Sequence, residues 1–287
     1  MTRFSVVTPT RNSLTKLKCC VGSVRGQTGV EVEHLVHDAC STDGTVGWLS
    51  GQNDLDSVSE NDSGMYDAIN RGWSRASGDI VSWLNSDEQY LPGTLRAVEC
   101  AFDQHPNVDM LFGDVIVVRP TGAIVAARRD VRLTSFYVAN SFLHAYSCTM
   151  FFRRRLLDEG KLELDSSLRF AADMDLILRL LKSGVRIQKM ERYLATFAFD
   201  GSNLSCEPGM LVETEIIRNK HRAFKYSPLR SAASACRNVE RLLSGAYRRT
   251  DVSFDYCVNE IPEYVLIEAK DVPFSYETRS NAQHKLI

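Results

Sequence analysis

Asp79-Ile-Val-Ser-Trp-Leu-Asn-Ser-Asp-Glu88 is the stretch that decides the fold. Its first half is an apolar run of strand length, the pattern of a strand buried on both faces. Its second half, Asn85-Ser86-Asp87-Glu88, is turn-forming and sets two carboxyl side chains at the strand's end. Three more units of this kind precede it. Phe4-Ser-Val-Val-Thr8 is a short strand running into Thr8-Pro-Thr-Arg-Asn12, Val32 to His37 runs into Asp38-Ala-Cys-Ser-Thr-Asp-Gly44, and a strand near Asp56 to Glu60 runs into Glu60-Asn-Asp-Ser-Gly64. Helical spacing separates them. Leu14, Leu17, Val21 and Val24 follow Ser13 as N-cap, a short helix covers Thr45 to Leu49, and Met65, Ile69 and Trp73 share one face of a helix over Gly64 to Ser74. This alternation predicts an α/β protein with a mostly parallel sheet and right-handed crossovers. Ligands bind such sheets at the carboxyl ends of the strands, where all four polar clusters fall.

The order loosens beyond this half. Val108 to Val118 and Ala123 to Arg128 read as strands around a Pro120-Thr-Gly turn, Asp173 to Lys182 as a helix with Leu176, Ile177 and Leu180 inward, and Arg192 to Phe199 as a closing strand. Residues 210–249 read as helical and basic, and the last forty or so lack periodicity beyond a small strand pair or an irregular tail. The expected division is an α/β domain over 1–205 and a helical basic extension with tail over 206–287. Of the 287 residues 44% are hydrophobic, enough for a sizeable core, and the net charge of -2 gives no overall pull toward nucleic acid or an anionic membrane. The eight cysteines form no C-x-x-C pair, which suits a reduced protein better than a disulfide framework or a zinc site. The start, Met1-Thr-Arg-Phe-Ser-Val-Val, lacks a signal-peptide layout, and no apolar run reaches the roughly 20 residues that span a bilayer. A cytoplasmic protein is expected.

Several residues on the rim have chemistry to offer, each with a plainer alternative. Asp87 can present a carboxylate to Mg²⁺ or Mn²⁺, ions that complete their shells with water and substrate phosphates, or it can be a solvated turn residue. Asp38 can accept from a base N–H or a ribose hydroxyl, or cap a turn. Ser41 to Thr45 reads as a turn and capping signal for the next helix. Asp67, Asn70 and Arg71 fall on one helical side, and Arg71 can meet a phosphate or simply pair with Asp67. Asp173 and Asp175 open a helix, where a carboxylate can answer the dipole or act as general base. The histidines at 34, 37, 105 and 144 form no ligand pair on a helix and read as structural or surface residues.

Taken in order, the motifs resemble the large second family of inverting glycosyltransferases, whose nucleotide-sugar-binding fold is called GT-A. The resemblance covers roughly residues 3–205 and rests on Ser5-Val-Val-Thr-Pro-Thr-Arg-Asn12, Asp38-Ala-Cys-Ser-Thr-Asp-Gly-Thr45, Ser59 to Gly72, Ala76-Ser-Gly-Asp-Ile80, Leu84-Asn-Ser-Asp-Glu88, Phe151-Phe-Arg-Arg154 and Ala172-Asp-Met-Asp175. The stretch from Gly64 to Gly72 is similar to a subgroup acting on bacterial surface polysaccharides. The resemblance implies that Thr8, Thr10 and Asn12 line the nucleotide pocket, that Asp38 contacts base or ribose with Glu60 and Asp62 near the base, and that Asp67 and Arg71 lie near ribose, sugar or diphosphate. It implies Asp87 as the metal ligand of a D-x-D-like motif, for Mn²⁺ or Mg²⁺, and Asp173 as general base. Asn85 replaces the first acid of that motif and is assigned to the nucleotide sugar. Ala172 replaces the glutamate before the base, Glu88 stands where a second aspartate is common, and Ser147-Cys148 takes the place of a His-Gln or Gln-Pro pair.

The implied reaction moves a sugar from a nucleotide-diphosphate donor, a UDP-sugar first among them, to a hydroxyl of a glycan or lipid-linked acceptor with inversion. Nucleic acid is not an expected partner. A sugar nucleotidyltransferase would need a glycine-rich basic loop after the first strand, which Thr8 to Asn12 lacks; a non-catalytic sugar-nucleotide binder is the other alternative. In the extension, Val239, Leu242, Leu243 and Ala246 recur at helical spacing among Arg237, Arg241, Arg248 and Arg249, with Arg218, Lys220, Arg222 and Lys225 upstream. Such a stripe is expected to pack on the catalytic domain and leave its arginines in water. Its alternative fate is a peripheral contact at the inner membrane face, beside a lipid-linked acceptor.

Overall fold

The computed structural model describes residues 2–201, 203–258 and 264–275. The first half alternates as the periodicity predicts: β1 (Arg3–Thr10), α1 (Leu14–Arg25), β2 (Glu31–Asp38), α2 (Thr45–Leu49), β3 (Leu55–Ser59), α3 (Met65–Arg75) and β4 (Ile80–Trp83). Next come β5 (Gln89–Tyr90), α4 (Thr94–Gln104), β6 (Met110–Val118), β7 (Ile124–Arg128), α5 (Ser135–Asn140), β8 (Met150–Arg153), α6 (Arg155–Asp158), α7 (Ala172–Lys182) and β9 (Ile187–Ala198). The chain continues through α8 (Gly209–Lys220), α9 (Ser227–Leu243), β10 (Thr250–Cys257) and β11 (Tyr264–Val272).

Among the described residues nine strands form one sheet in the order β3-β2-β1-β4-β8-β6-β9-β5, with β7 also on β6. β3, β2, β1 and β4 run parallel, so their carboxyl ends share one edge. β8 is antiparallel to both β4 and β6. The rim clusters are thus brought together by strand direction, before any side chain is considered.

The sheet is buried on both faces. On one side Val7, Val81, Trp83, Phe112 and Phe152 meet α3 and α7; on the other Phe4, Val6, Ile80 and Phe151 meet α1 and α4. Trp73, Trp83 and Phe152 pack ring on ring below the rim, with centroids 5.4 to 6.2 Å apart. Helix α3 lies close to β1 because Gly72 lets it: a β-carbon there would sit 2.3 Å from a methyl carbon of Val7. Ser13 stands before α1 without capping it through its side chain. The carboxylate of Asp43 caps it instead, accepting from the N–H of Leu14 at 3.0 Å, and accepts from Thr45 as the predicted turn.

The C-terminal segment shares these cores. Ile217 of α8 belongs to the cluster around α7, and the β10–β11 hairpin buries Phe254, Tyr256 and Val272 against Ile116, Val118 and Ala127. Helix α9 departs from the sequence expectation. Arg237 and Arg241 are 3% exposed, while Val239, Leu242 and Leu243 face outward; of the expected stripe only Ala246 is buried. The arginines turn inward because an aromatic ring and a carboxylate await them: Arg237 stacks 3.9 Å from the centroid of Phe142, and Arg241 Nε donates to Asp130 Oδ1 at 2.9 Å.

Candidate active site

Three loops meet where β1, β2 and β3 end. Thr10 pairs in register with Asp38, and Asp38 with Ser59. Asp38 is fully buried. Its Oδ2 accepts from the Ser59 hydroxyl at 2.6 Å and from the N–H of Ser41 at 3.0 Å, whereas its Oδ1 has no partner. Asn12 adopts φ of 48° and ties two loops together, taking the N–H of Thr42 at 2.8 Å on its side-chain oxygen while its own N–H goes to Ser41. Thr8 sits deeper than the rim, with its hydroxyl 2.8 Å from His34 Nε2. Thr8 is fully buried, and its hydroxyl is engaged within the sheet in this structure.

Glu60, Asp67 and Arg71 form one partly exposed cluster, with Arg71 Nη1 2.8 Å from Glu60 and Nη2 3.0 Å from Asp67. The plain reading of Arg71 as an ion-pair partner therefore holds in this structure, and both carboxyls are held below their ordinary values. Asp67 also accepts from the N–H of Ser63 at 2.9 Å, and Asp62 from that of Gly64 at 2.9 Å. The other oxygen of Asp62 lies 3.7 Å from His37 Nε2. Asn70 is used up elsewhere, clasping the backbone of Leu164 from both sides.

The turn after β4 closes on itself. Glu88 donates its N–H to the Asn85 carbonyl, and its Oε2 accepts the N–H of Asn85 at 2.8 Å. Burial, reinforced by the neighbouring Asp87 carboxylate, pushes Glu88 up to about 8. At neutral pH it is mostly a neutral acid. Burial raises Asp87 too, opposed by Lys16 and assisted by Asp200. Lys16 and Asp200 are 3.4 Å apart and flank Asp87; neither stands out in the sequence, because they lie 184 residues apart.

Asp173 occupies the first turn of α7, and its Oδ1 accepts the N–H of Met174 at 2.8 Å. Burial lifts its carboxyl to about 6, with a smaller contribution from Glu213. Tyr66, in the first turn of α3, is buried beside it. Helix α3, with Asp67 in its first turn and Asp62 in the loop before it, thus reaches the start of α7 through Tyr66. Asp175 serves the packing of helices instead. Fully buried, it bonds Arg179 Nε and His221 Nε2, each at 2.8 Å, and is held down to about 2 despite burial.

Two residues of α8 and its end escaped the sequence reading. Glu213 accepts the N–H groups of Arg169, Phe170 and Ala171 at 2.7 to 3.0 Å, fixing the entry to α7. His221 locks α8 to α7 through Asp175. Their signal is spatial, since each partner is some forty residues upstream. Among the described residues no cluster of three or more acidic, histidine or cysteine side chains is placed to hold an ion alone.

The profile of the family described as glycosyl transferase family 2 matches residues 5–160. A PGL/p-HBAD biosynthesis glycosyltransferase of Mycobacterium tuberculosis is 33% identical over 121 residues, 40% of this chain and 47% of that protein. The chain therefore spans about half the length of that curated relative. Among solved structures, S. aureus TarS 1-349 in complex with UDP-GlcNAc superposes with a TM-score of 0.60 at 20% identity, over 84% of this chain and 73% of that one. The mannosyltransferase PcManGT from Pyrobaculum calidifontis, in complex with GDP-Man and Mn²⁺, gives 0.57 at 18% identity, over 85% and 79%. At such identities the two structures speak for the fold alone.

Proposed function

The chain belongs to glycosyl transferase family 2 and has the GT-A fold, and we propose that it transfers a sugar, with inversion, from a nucleotide-diphosphate donor to an acceptor hydroxyl. The observation that carries this reading is a group of buried polar atoms without hydrogen-bond partners at the ends of β1, β2 and β4: Thr10 Oγ1, His37 Nε2, Asp38 Oδ1, Asn85 Oδ1 and Glu88 Oε1. Buried polar atoms are nearly always satisfied, and each one left unpaired costs about 1–3 kcal/mol. A ligand rich in hydrogen-bonding groups, such as a nucleoside diphosphate, relieves that cost. Asp38 Oδ1 suits a base N–H or ribose hydroxyl, and we assign Glu60, Asp62, Asp67 and Arg71, on the next loop and the start of α3, to the same ligand.

A divalent ion, Mn²⁺ or Mg²⁺, fits the turn after β4. Such ions need only one or two protein oxygens and keep water and phosphate for the rest. Asp87 would hold it, beside Asn85, whose unpaired oxygen faces the donor. Bound there, the ion supplies positive charge against the departing diphosphate. Asp173 takes the proton of the acceptor hydroxyl. The acceptor oxygen bonds to the anomeric carbon as the bond to the diphosphate oxygen breaks, and that electron pair leaves with the nucleotide. We assign a glycan or lipid-linked acceptor and a UDP-sugar donor to this chain; of the two solved neighbours, TarS holds UDP-GlcNAc and PcManGT holds GDP-Man.

The test is a thermal-shift panel of nucleotide sugars with and without Mn²⁺, followed by donor turnover on the best binder. Metal-enhanced stabilisation by one donor, absent in Asp87→Ala, and turnover in the presence of an acceptor or water are expected. Binding without turnover would leave a non-catalytic sugar-nucleotide binder. Stabilisation by no donor would remove the reading.

A further inference from the structure

Helix α9 is strongly amphipathic, and it lies on the protein with its polar side down. All four of its charged side chains are engaged inward: Arg230 with Glu215 at 2.7 Å, Arg237 over Phe142, Arg241 with Asp130, and Glu240 with the hydroxyl of Tyr137 at 2.7 Å. The outward side carries no charge. It shows Leu229, Val239, Leu242 and Leu243, the last two 67% and 82% exposed. Helix α8, just before it, also exposes Leu211, Val212 and Ile216. An apolar face of this extent marks an interaction surface.

The exposed charges at the two ends of that face are mostly basic. Between residues 207 and 249 they are Lys220, Arg222, Lys225, Arg248 and Arg249, against Glu207; Lys220 also reaches Asp175 at 2.9 Å and Arg249 pairs with Asp271 at 2.7 Å, and Asp251 is exposed just beyond. Arg222 and Lys225 lie just before α9, and Arg248 and Arg249 just after it. We propose that α9 docks this protein on an anionic lipid surface, with its leucines in the headgroup layer and the basic side chains at its two ends on lipid phosphates. Anionic lipid answers both the apolar face and the cations. A second copy of the chain would cover the leucines but set cations against cations. The inward arginines are not part of the lipid contact, since Arg237 and Arg241 are consumed by Phe142 and Asp130. The docking surface is independent of the catalytic reading.

Co-sedimentation of the full chain with vesicles tests this, using phosphatidylcholine alone and phosphatidylcholine mixed with phosphatidylglycerol. The expected result is binding to the mixed vesicles only, weakened on the order of tenfold or more by 1 M salt or by Arg222→Glu with Lys225→Glu. Leu242→Asp with Leu243→Asp should abolish it while leaving the melting temperature unchanged, because both side chains already stand in water. No binding at low salt, or undiminished binding by the double aspartate variant, overturns the proposal. So does a concentration-dependent dimer that this variant dissolves, since the face then belongs to a second copy.

Discussion

The two carboxyls in the first turn of α7 hold their protons very differently, and burial alone does not order them. Asp173 is lifted to about 6 by burial with Glu213 nearby, while Asp175 is pulled down to about 2 by His221, Lys220 and Arg179 despite its burial. A general base works ionised. Transfer should therefore fall about tenfold per pH unit below pH 6 and level off above pH 7, a limb readable in kcat/KM. Asp173→Asn should keep donor affinity and lose turnover by a factor on the order of 10²–10⁴. Asp175→Asn should instead act on stability. Its folded value is depressed, so its contribution is present above the unfolded value near 3.8 and lost as pH falls toward 2. A melting temperature that falls in Asp175→Asn with turnover largely kept, and the reverse in Asp173→Asn, is the pattern to look for. The sequence could place both aspartates in one helical turn. Spacing alone could not separate them, and only the family resemblance singled out Asp173, because the separating partners, His221 and Glu213, come from α8 and its end some forty residues on.

Elements were more legible than residues where chain neighbours are also sheet neighbours. The periodicity of β1 to β4 and of α3 needs only adjacent segments, and those elements appear where their apolar positions put them. The insertion of β8 between β4 and β6 could not be read that way, since its partners are far along the chain. Close packing of α3 on β1 is likewise written in one residue. A methyl group at Gly72 would meet Val7 at 2.3 Å with the sheet behind it, so neither side has room to give. Gly72→Ala should gain helix propensity and still lose about 1–3 kcal/mol through overpacking, measured by urea unfolding. Val7→Ala in the same chain should recover part of that loss by clearing the clash. If Gly72→Ala is neutral alone, the close approach does not set the position of α3.

At the scale of the whole molecule, the seam between the sheet-bearing body and the C-terminal helices is where composition misled. Leu242 and Leu243 look like core and Arg241 like surface, yet the positions are exchanged, because the body presents a buried carboxylate where an apolar floor would be needed. Asp130 stands 111 residues before Arg241, and the two side chains are 9% and 4% exposed. His144 and Arg241 together hold Asp130 below the usual carboxylate range even though burial opposes this. Breaking such a pair from one side strands the other charge, which typically costs about 3–5 kcal/mol. Arg241→Met should therefore destabilise the chain severely in urea unfolding at pH 7, whereas a solvated arginine would change it by no more than about 0.5 kcal/mol. The two substitutions together, Arg241→Met with Asp130→Leu, should recover part of the loss, because neither member of the pair is then left buried without the other, although Arg237 loses the Asp130 carboxylate nearby. Lowering the pH should narrow the gap as well, since the stranded Asp130 can take up a proton. A near-neutral Arg241→Met, or a double variant no more stable than the single one, would mean that this ion pair does not hold α9 in its inverted seat.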